Sequence, residues 1–166
     1  VKEMARYGLI LALICIIAAG LLAMVNSLTR ARIIGQAEAE EGASLQDVMP
    51  EAAHFEAVKK GNETLYYKAT DREGKFMGAA FKAYADGYSS DIEVMVGLLK
   101  DGTITAIKIL AQNETPGLGT RVSEPAFTGE FSRKNVRELS EVQAITGATI
   151  SSSAVIDAVK ERAKKI

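Results

Sequence analysis

From Tyr7 to Thr29 the chain runs 23 residues without a charge, YGLILALICIIAAGLLAMVNSLT, bounded by Arg6 and Arg30. At the helical rise of 1.5 Å per residue the run is roughly 35 Å long, enough to cross a hydrocarbon core of about 30 Å. It is too long for the apolar core of a cleaved signal peptide, about 7–15 residues, and its leucines continue past the small-residue stretch at 18–20. The run therefore predicts an uncleaved membrane anchor, with membrane lipid as one partner. Lys2 and Arg6 on one side balance Arg30 and Arg32 on the other, so the positive-inside rule leaves orientation open.

What remains of the 166 residues suffices for one modest domain. A formal net charge of -1 and the lack of a basic arm give no reason to expect a nucleic acid partner. Cys15, the single cysteine, lies inside the apolar run, so the domain has no thiolate for a zinc or iron–sulfur site and no disulfide of its own. His54, the single histidine, reads as a surface residue; no metal site is expected.

Three segments follow from composition: an anchor over 1–29, a helical or semi-ordered connector over 30–49 with Ile33, Ile34 and Leu45 as its periodic apolar residues, and a domain over 50–166 beginning near Pro50. TLYYKAT and KFMGAAFKAYA flank the polar turn Asp71-Arg72-Glu73-Gly74 and predict a hairpin. DIEVMVGLL places Ile92, Val94, Val96 and Leu98 on one strand face, and Asp101-Gly102 turns the chain into TITAIKIL for a second hairpin. A short helix is expected over SEPAFTGEF, with Ser123 as a possible N-cap, Pro125 in the first turn, and Phe127 and Phe131 on one buried face. Ile150, Ala154, Val155, Ala158, Val159, Ala163 and Ile166 recur at helical spacing, and basic residues crowd the end of this last helix. The fold expected is α+β, a largely antiparallel twisted sheet with packed helices, behind a single transmembrane helix.

The chemistry concentrates in AITGATISSSAV, residues 144–155, where hydroxyl and small side chains meet the start of the last helix. The free N–H groups of a helix start attract phosphate and other anions. The plain alternative is that Thr149, Ser151, Ser152 or Ser153 caps the helix, which needs one short hydroxyl. The segment NETPGLGTR, residues 113–121, contains the favoured turn pair Pro116-Gly117 and reads by itself as a surface turn. A hydrolytic role for the hydroxyls has little support, because there is neither a G-x-S-x-G elbow nor an S-x-x-K spacing around them.

Together, ITGATISS at 145–152 and ETPGLG at 114–119 resemble the covalent FMN-binding family of membrane redox pumps, whose flavinylation motif is Ser/Thr-Gly-Ala-Thr-x-Ser/Thr. With GYSSDIEVMVGLLKDGTITAIKIL and the anchor, the resemblance covers nearly the whole chain. It implies FMN held covalently through an ester between its phosphate and the Thr149 hydroxyl. Thr146, Gly147, Ala148, Ser151 and Ser152 would surround the phosphate, and Glu114, Thr115, Gly117, Leu118 and Gly119 would neighbour the flavin. The family's pattern usually carries Asp six residues before the acceptor, where this chain has Gln143.

The short length favours the G subunit of Rnf complexes, which couple electron transfer between ferredoxin and NAD to ion translocation. The related C subunit of the sodium-pumping NADH:quinone oxidoreductase is the alternative. The resemblance further implies a flavin transferase for maturation, other integral-membrane and redox subunits as partners, and an FMN domain on the extracytoplasmic side of the cell membrane with residues 1–6 inside. It implies a redox subunit of a larger enzyme with no catalytic residue of its own. The residues alone also fit a non-redox anchored module that binds phosphate or another anion at the helix start.

Overall fold

A computed structural model describes residues 2–61 and 63–166, with the side chains of residues 31 and 34 outside the description. The expectation for Ile34 therefore lies outside the described residues. The chain divides into two compact units, Val1–Glu41 and Gly42–Ile166.

The first unit holds most of helix α1, Lys2–Val48. Its most apolar window has a mean hydropathy of 2.9, and this helix is long and apolar enough to cross a membrane. Leu, Ile, Met and Val side chains are exposed along it, as is Cys15. Such a surface is stable in hydrocarbon, where a helix satisfies its own backbone hydrogen bonds.

The second unit is an α+β domain around a five-stranded antiparallel meander, β1 (His54–Lys60), β2 (Glu63–Thr70), β3 (Phe76–Asp86), β4 (Asp91–Leu99) and β5 (Ile104–Ala111), in that spatial order. Both expected hairpins are present. In the first turn the Asp71 carboxylate accepts the N–H groups of Glu73 and Lys75, each at 2.9 Å. Strand β1 has no counterpart in the sequence reading. Only Phe55 and Val58 of its seven residues are even partly buried, so it carries little periodic signal. His54, at its start, is exposed.

Alternation along β3 and β4 assigns the two faces of the sheet. Phe81, Ala83, Ala85, Ile92, Val94, Val96 and Leu98 meet helix α3 (Thr149–Ala163) through Val155, Ile156, Val159 and Ala163. Phe127 and Phe131 close this core edge-to-face, with ring centroids 5.3 Å apart. Helix α2 spans only Pro125–Thr128, and its N-cap is Glu124 without a side-chain cap bond, rather than Ser123. Of the periodic residues proposed for the last helix, Ile150 and Ile166 are exposed; Ile166 lies beyond the helix end.

Ala69, Ala80 and Met95 on the other face pack with Leu45, Val48, Met49 and Ala52. The last turns of α1 are thus core, and the compact unit begins at Gly42 rather than at Pro50. The sequence stretch looks like a connector because its three large buried residues follow a run of Ala, Glu and Gln.

Candidate functional site

The ETPGLG loop and the start of α3 come together at one end of the sheet. They enclose a cavity of about 390 Å³ lined by Tyr88, Glu114, Thr115, Leu118, Gly119, Gly147, Ala148, Thr149, Ile150 and Ser151. Thr146, Gly117 and Ser152, also singled out from the sequence, are not among these lining residues. Tyr88 and Ile150 are, and sequence reasoning missed both. Ile150 sits between two motif residues at a position read as core, and Tyr88 precedes β4 in the GYSS turn, a segment that shares the family resemblance but from which the sequence reading takes no site residue.

The loop before α3 is held from within the helix. Ser152 Oγ accepts the Ile145 N–H at 3.0 Å and donates to the Ala148 carbonyl at 2.8 Å. Ala148 N–H donates to the Ile145 carbonyl at 2.9 Å, and Gly147 takes φ +85°. That value suits a residue without a Cβ. Arg121 Nη1 donates to the Thr146 carbonyl at 3.3 Å and so joins this loop to the one after ETPGLG.

No hydroxyl caps α3. Its N-cap is Ala148, with no side-chain cap bond. Ser151 donates to the Glu114 carboxylate at 2.7 Å and Ser152 to the Ala148 carbonyl, both from buried positions, so neither is free to donate to a phosphate in the cavity. Thr149 differs. It is exposed at the first helical position, and its Oγ1 makes only a 3.5 Å approach to the Ile145 carbonyl, too long for a good O–H···O bond. The first intrahelical bond is Ser152 N–H to the Ala148 carbonyl, which leaves the N–H groups of Thr149, Ile150 and Ser151 ahead of the ladder.

The ETPGLG segment is indeed a tight turn: Leu118 N–H donates to the Thr115 carbonyl at 3.1 Å, and Gly117 N–H to Thr120 Oγ1 at 3.0 Å. Turn and site are one structure, because the bend drives Glu114 inward while Leu118 stays at the rim. Glu114 is 4% exposed. Its Oε1 accepts the N–H groups of Ser89 and Ser90 at 2.9 and 3.0 Å, and its Oε2 accepts Ser151 Oγ–H at 2.7 Å and Tyr88 N–H at 3.3 Å. Burial raises the pKa of this carboxyl, but the Ser151 hydroxyl and the N–H groups of Ser89, Ser90 and Tyr88 together outweigh burial and hold it below the ordinary glutamate value. A Cβ on Gly119 would lie 2.5 Å from Glu114 Oε2, so the loop closes over the carboxylate only with glycine there.

The cavity thus has a charged, hydrogen-bonded floor and a rim of exposed Tyr88, Leu118 and Ile150, at 69%, 49% and 58%. That combination suits a planar, largely apolar ligand carrying an anionic group to the helix start. Gln143 is exposed, and its N–H donates to Glu130 Oε2 at 3.0 Å on the flank of the loop. Among the described residues, no three His, Cys, Asp or Glu side chains gather as a metal site.

Comparison with known proteins bears on the same segments. The FMN-binding domain family model matches residues 87–164, and the RnfG N-terminal region model matches residues 2–48. The G subunit of the ion-translocating oxidoreductase complex of Methanosarcina acetivorans is 35% identical, over 95% of this chain and 92% of that relative. The G subunit of the Na(+)-translocating ferredoxin:NAD(+) oxidoreductase complex of Acetobacterium woodii is 33% identical, over 95% of this chain and 89% of that protein. Among solved structures, Shewanella oneidensis NqrC superposes with a TM-score of 0.52 at 20% identity, over 68% of this chain and 65% of that one, a likeness of fold.

Proposed function

This chain belongs to the family of G subunits of ion-translocating oxidoreductase complexes, and we propose that its domain carries FMN as an ester of the Thr149 hydroxyl. It is a membrane-bound redox subunit of a multi-subunit oxidoreductase, an FMN-binding electron carrier held by α1. Relatives named as G subunits span nearly the whole chain, which disfavours the C-type quinone reductase subunit.

One observation carries the assignment of the acceptor. Of the hydroxyls at the start of α3, Ser151 and Ser152 are buried and committed to protein acceptors and Ser153 does not line the cavity, whereas Thr149 is exposed at it and held only by the long 3.5 Å approach to the Ile145 carbonyl. An ester at Thr149 places the phosphate beside the N–H groups of Thr149, Ile150 and Ser151, which stabilise its remaining charge. Tyr88, Leu118 and Ile150 then offer apolar surface to the ring system. Bound flavin supplies reversible uptake and release of electrons, and the covalent link prevents its loss during turnover.

By analogy with the relative from Acetobacterium woodii, the electrons pass within a complex acting between ferredoxin and NAD(+). A flavin transferase installs the FMN, and the domain lies on the extracytoplasmic side. The test is the intact mass of the chain co-expressed with its transferase. The wild type and Thr149→Ser gain the mass of an esterified FMN, and Thr149→Ala and the near-isosteric Thr149→Val do not. A wild-type chain purified from working complexes with Thr149 bare would refute the assignment.

A further inference from the structure

Among the described residues Glu114 is the one carboxylate on the cavity wall, and it is nine-tenths buried or more. Its four donors come from two separate parts of the chain: the 88–90 turn ahead of β4, and α3 through Ser151; the carboxylate itself belongs to the ETPGLG loop. No Lys or Arg pairs with it among the described residues. Every donor is a neutral dipole, so the group is solvated by the protein while its net charge stays uncancelled. Gly119 packs directly against Oε2, leaving no room for an intervening side chain.

We propose that Glu114 is the fixed negative charge of the flavin pocket, positioning the three segments that meet on it and holding the reduction potential of the bound flavin down. The inference rests on the covalent-FMN reading. Reduction adds electron density to the ring, and an anion on the wall of the same small cavity opposes it more strongly than in water, because the protein interior screens charge less. The four hydrogen bonds keep this anion ionised and in place, which the depressed pKa of the group reflects. Glu114 acts through its field and its ties, not by exchanging a proton with the ring.

The test uses the full chain, co-expressed with its flavin transferase and purified in detergent. Intact mass reports loading, and redox titration of the flavin absorbance reports the midpoint potential. Glu114→Gln keeps shape and partial hydrogen bonding but removes the charge, and its potential rises above the wild-type value. Ser151→Ala removes one tie and keeps the charge, and its potential does not rise. Equal potentials in wild type and Glu114→Gln, or the same upward shift in both variants, would overturn the charge assignment; the latter is the mark of simple loosening. If Glu114→Gln fails to load, loading of Glu114→Asp supports a requirement for charge, and failure of both overturns it. A wild-type chain without the flavin mass at Thr149 is a separate result, seen in the mass spectrum alone, and removes the covalent reading together with this one.

Discussion

Ser152 braces the backbone of Ile145, accepting its N–H at 3.0 Å from seven residues further along the chain. The same hydroxyl donates to the Ala148 carbonyl, so one fully buried side chain fixes both ends of the turn that presents Thr149. Ser152→Ala leaves the Ile145 N–H without this partner and should destabilise the domain by about 1–3 kcal/mol, the cost of stranding a buried polar group. Urea unfolding measures the loss, and flavin loading of Thr149 should fall with it. Unchanged stability together with full loading would show that the brace is dispensable.

Gly147 isolates a conformational requirement from a steric one. Its φ is +85°, yet a Cβ there would meet nothing nearer than Leu118 Cδ2 at 3.8 Å, an ordinary contact. Gly147→Ala should therefore cost about 1–2 kcal/mol through backbone strain alone. Gly147→Asn should cost less, since Asn tolerates the left-handed region better. Thermal unfolding ranks the three chains; Ala and Asn variants of equal stability would contradict the strain account.

Acid should reveal Glu114. Its carboxyl has a lower pKa in the folded protein than the unfolded value of about 4.3, so the unfolded chain takes up a proton before the folded one does. Its contribution to stability is complete at neutral pH, begins to decline as pH nears the unfolded value, and is lost as pH falls through the folded value. The stability difference between wild type and Glu114→Gln should hence be constant from pH 7 to about 5 and shrink below that. Urea titrations at several pH values measure it, and curves that stay parallel down to pH 3 would mean that the fold does not lower the pKa of Glu114.

The sequence displays what depends on local pattern. The anchor is an uninterrupted apolar run, β4 an alternation whose Ile92, Val94, Val96 and Leu98 all enter one core, and the Phe127–Phe131 pair a helical spacing that survives although α2 itself is only four residues long. The two motif loops were also legible, and the cavity joins them. Hidden from it were relations that exist only after folding. Nothing in ETPGLG says that Glu114 will find its donors in residues 88–90 and 151, and nothing in ISSS says which serines turn inward. Helical phase decides the latter, since Ser151 and Ser152 face the protein whereas Thr149 and Ile150 face out. The end of α1 misled for a related reason, because Leu45, Val48 and Met49 have meaning only against the alanines of β2 and β3.

That packing leads to a prediction about where the folding unit begins. Leu45, Val48 and Met49 are 5%, 0% and 2% exposed, against Ala69, Ala80 and Met95 on the outer sheet face. Burying such side chains is worth about 1.5–3 kcal/mol each. The Thr105 hydroxyl also donates to the Val48 carbonyl, and Gln46 Nε2 to the Pro50 carbonyl at 3.0 Å. The exposed Lys108–Asp47 pair, at 2.6 Å, adds little beside these. Deleting the segment removes several kcal/mol from a net stability that for domains is typically about 5–15 kcal/mol, and it bares the outer sheet face. A chain of residues 42–166 should therefore unfold in one cooperative transition, whereas residues 50–166 should melt far lower or fail to fold, as circular dichroism and amide dispersion in NMR spectra would record. Equal melting temperatures for the two would mean that the last turns of α1 rest on the sheet without supporting it.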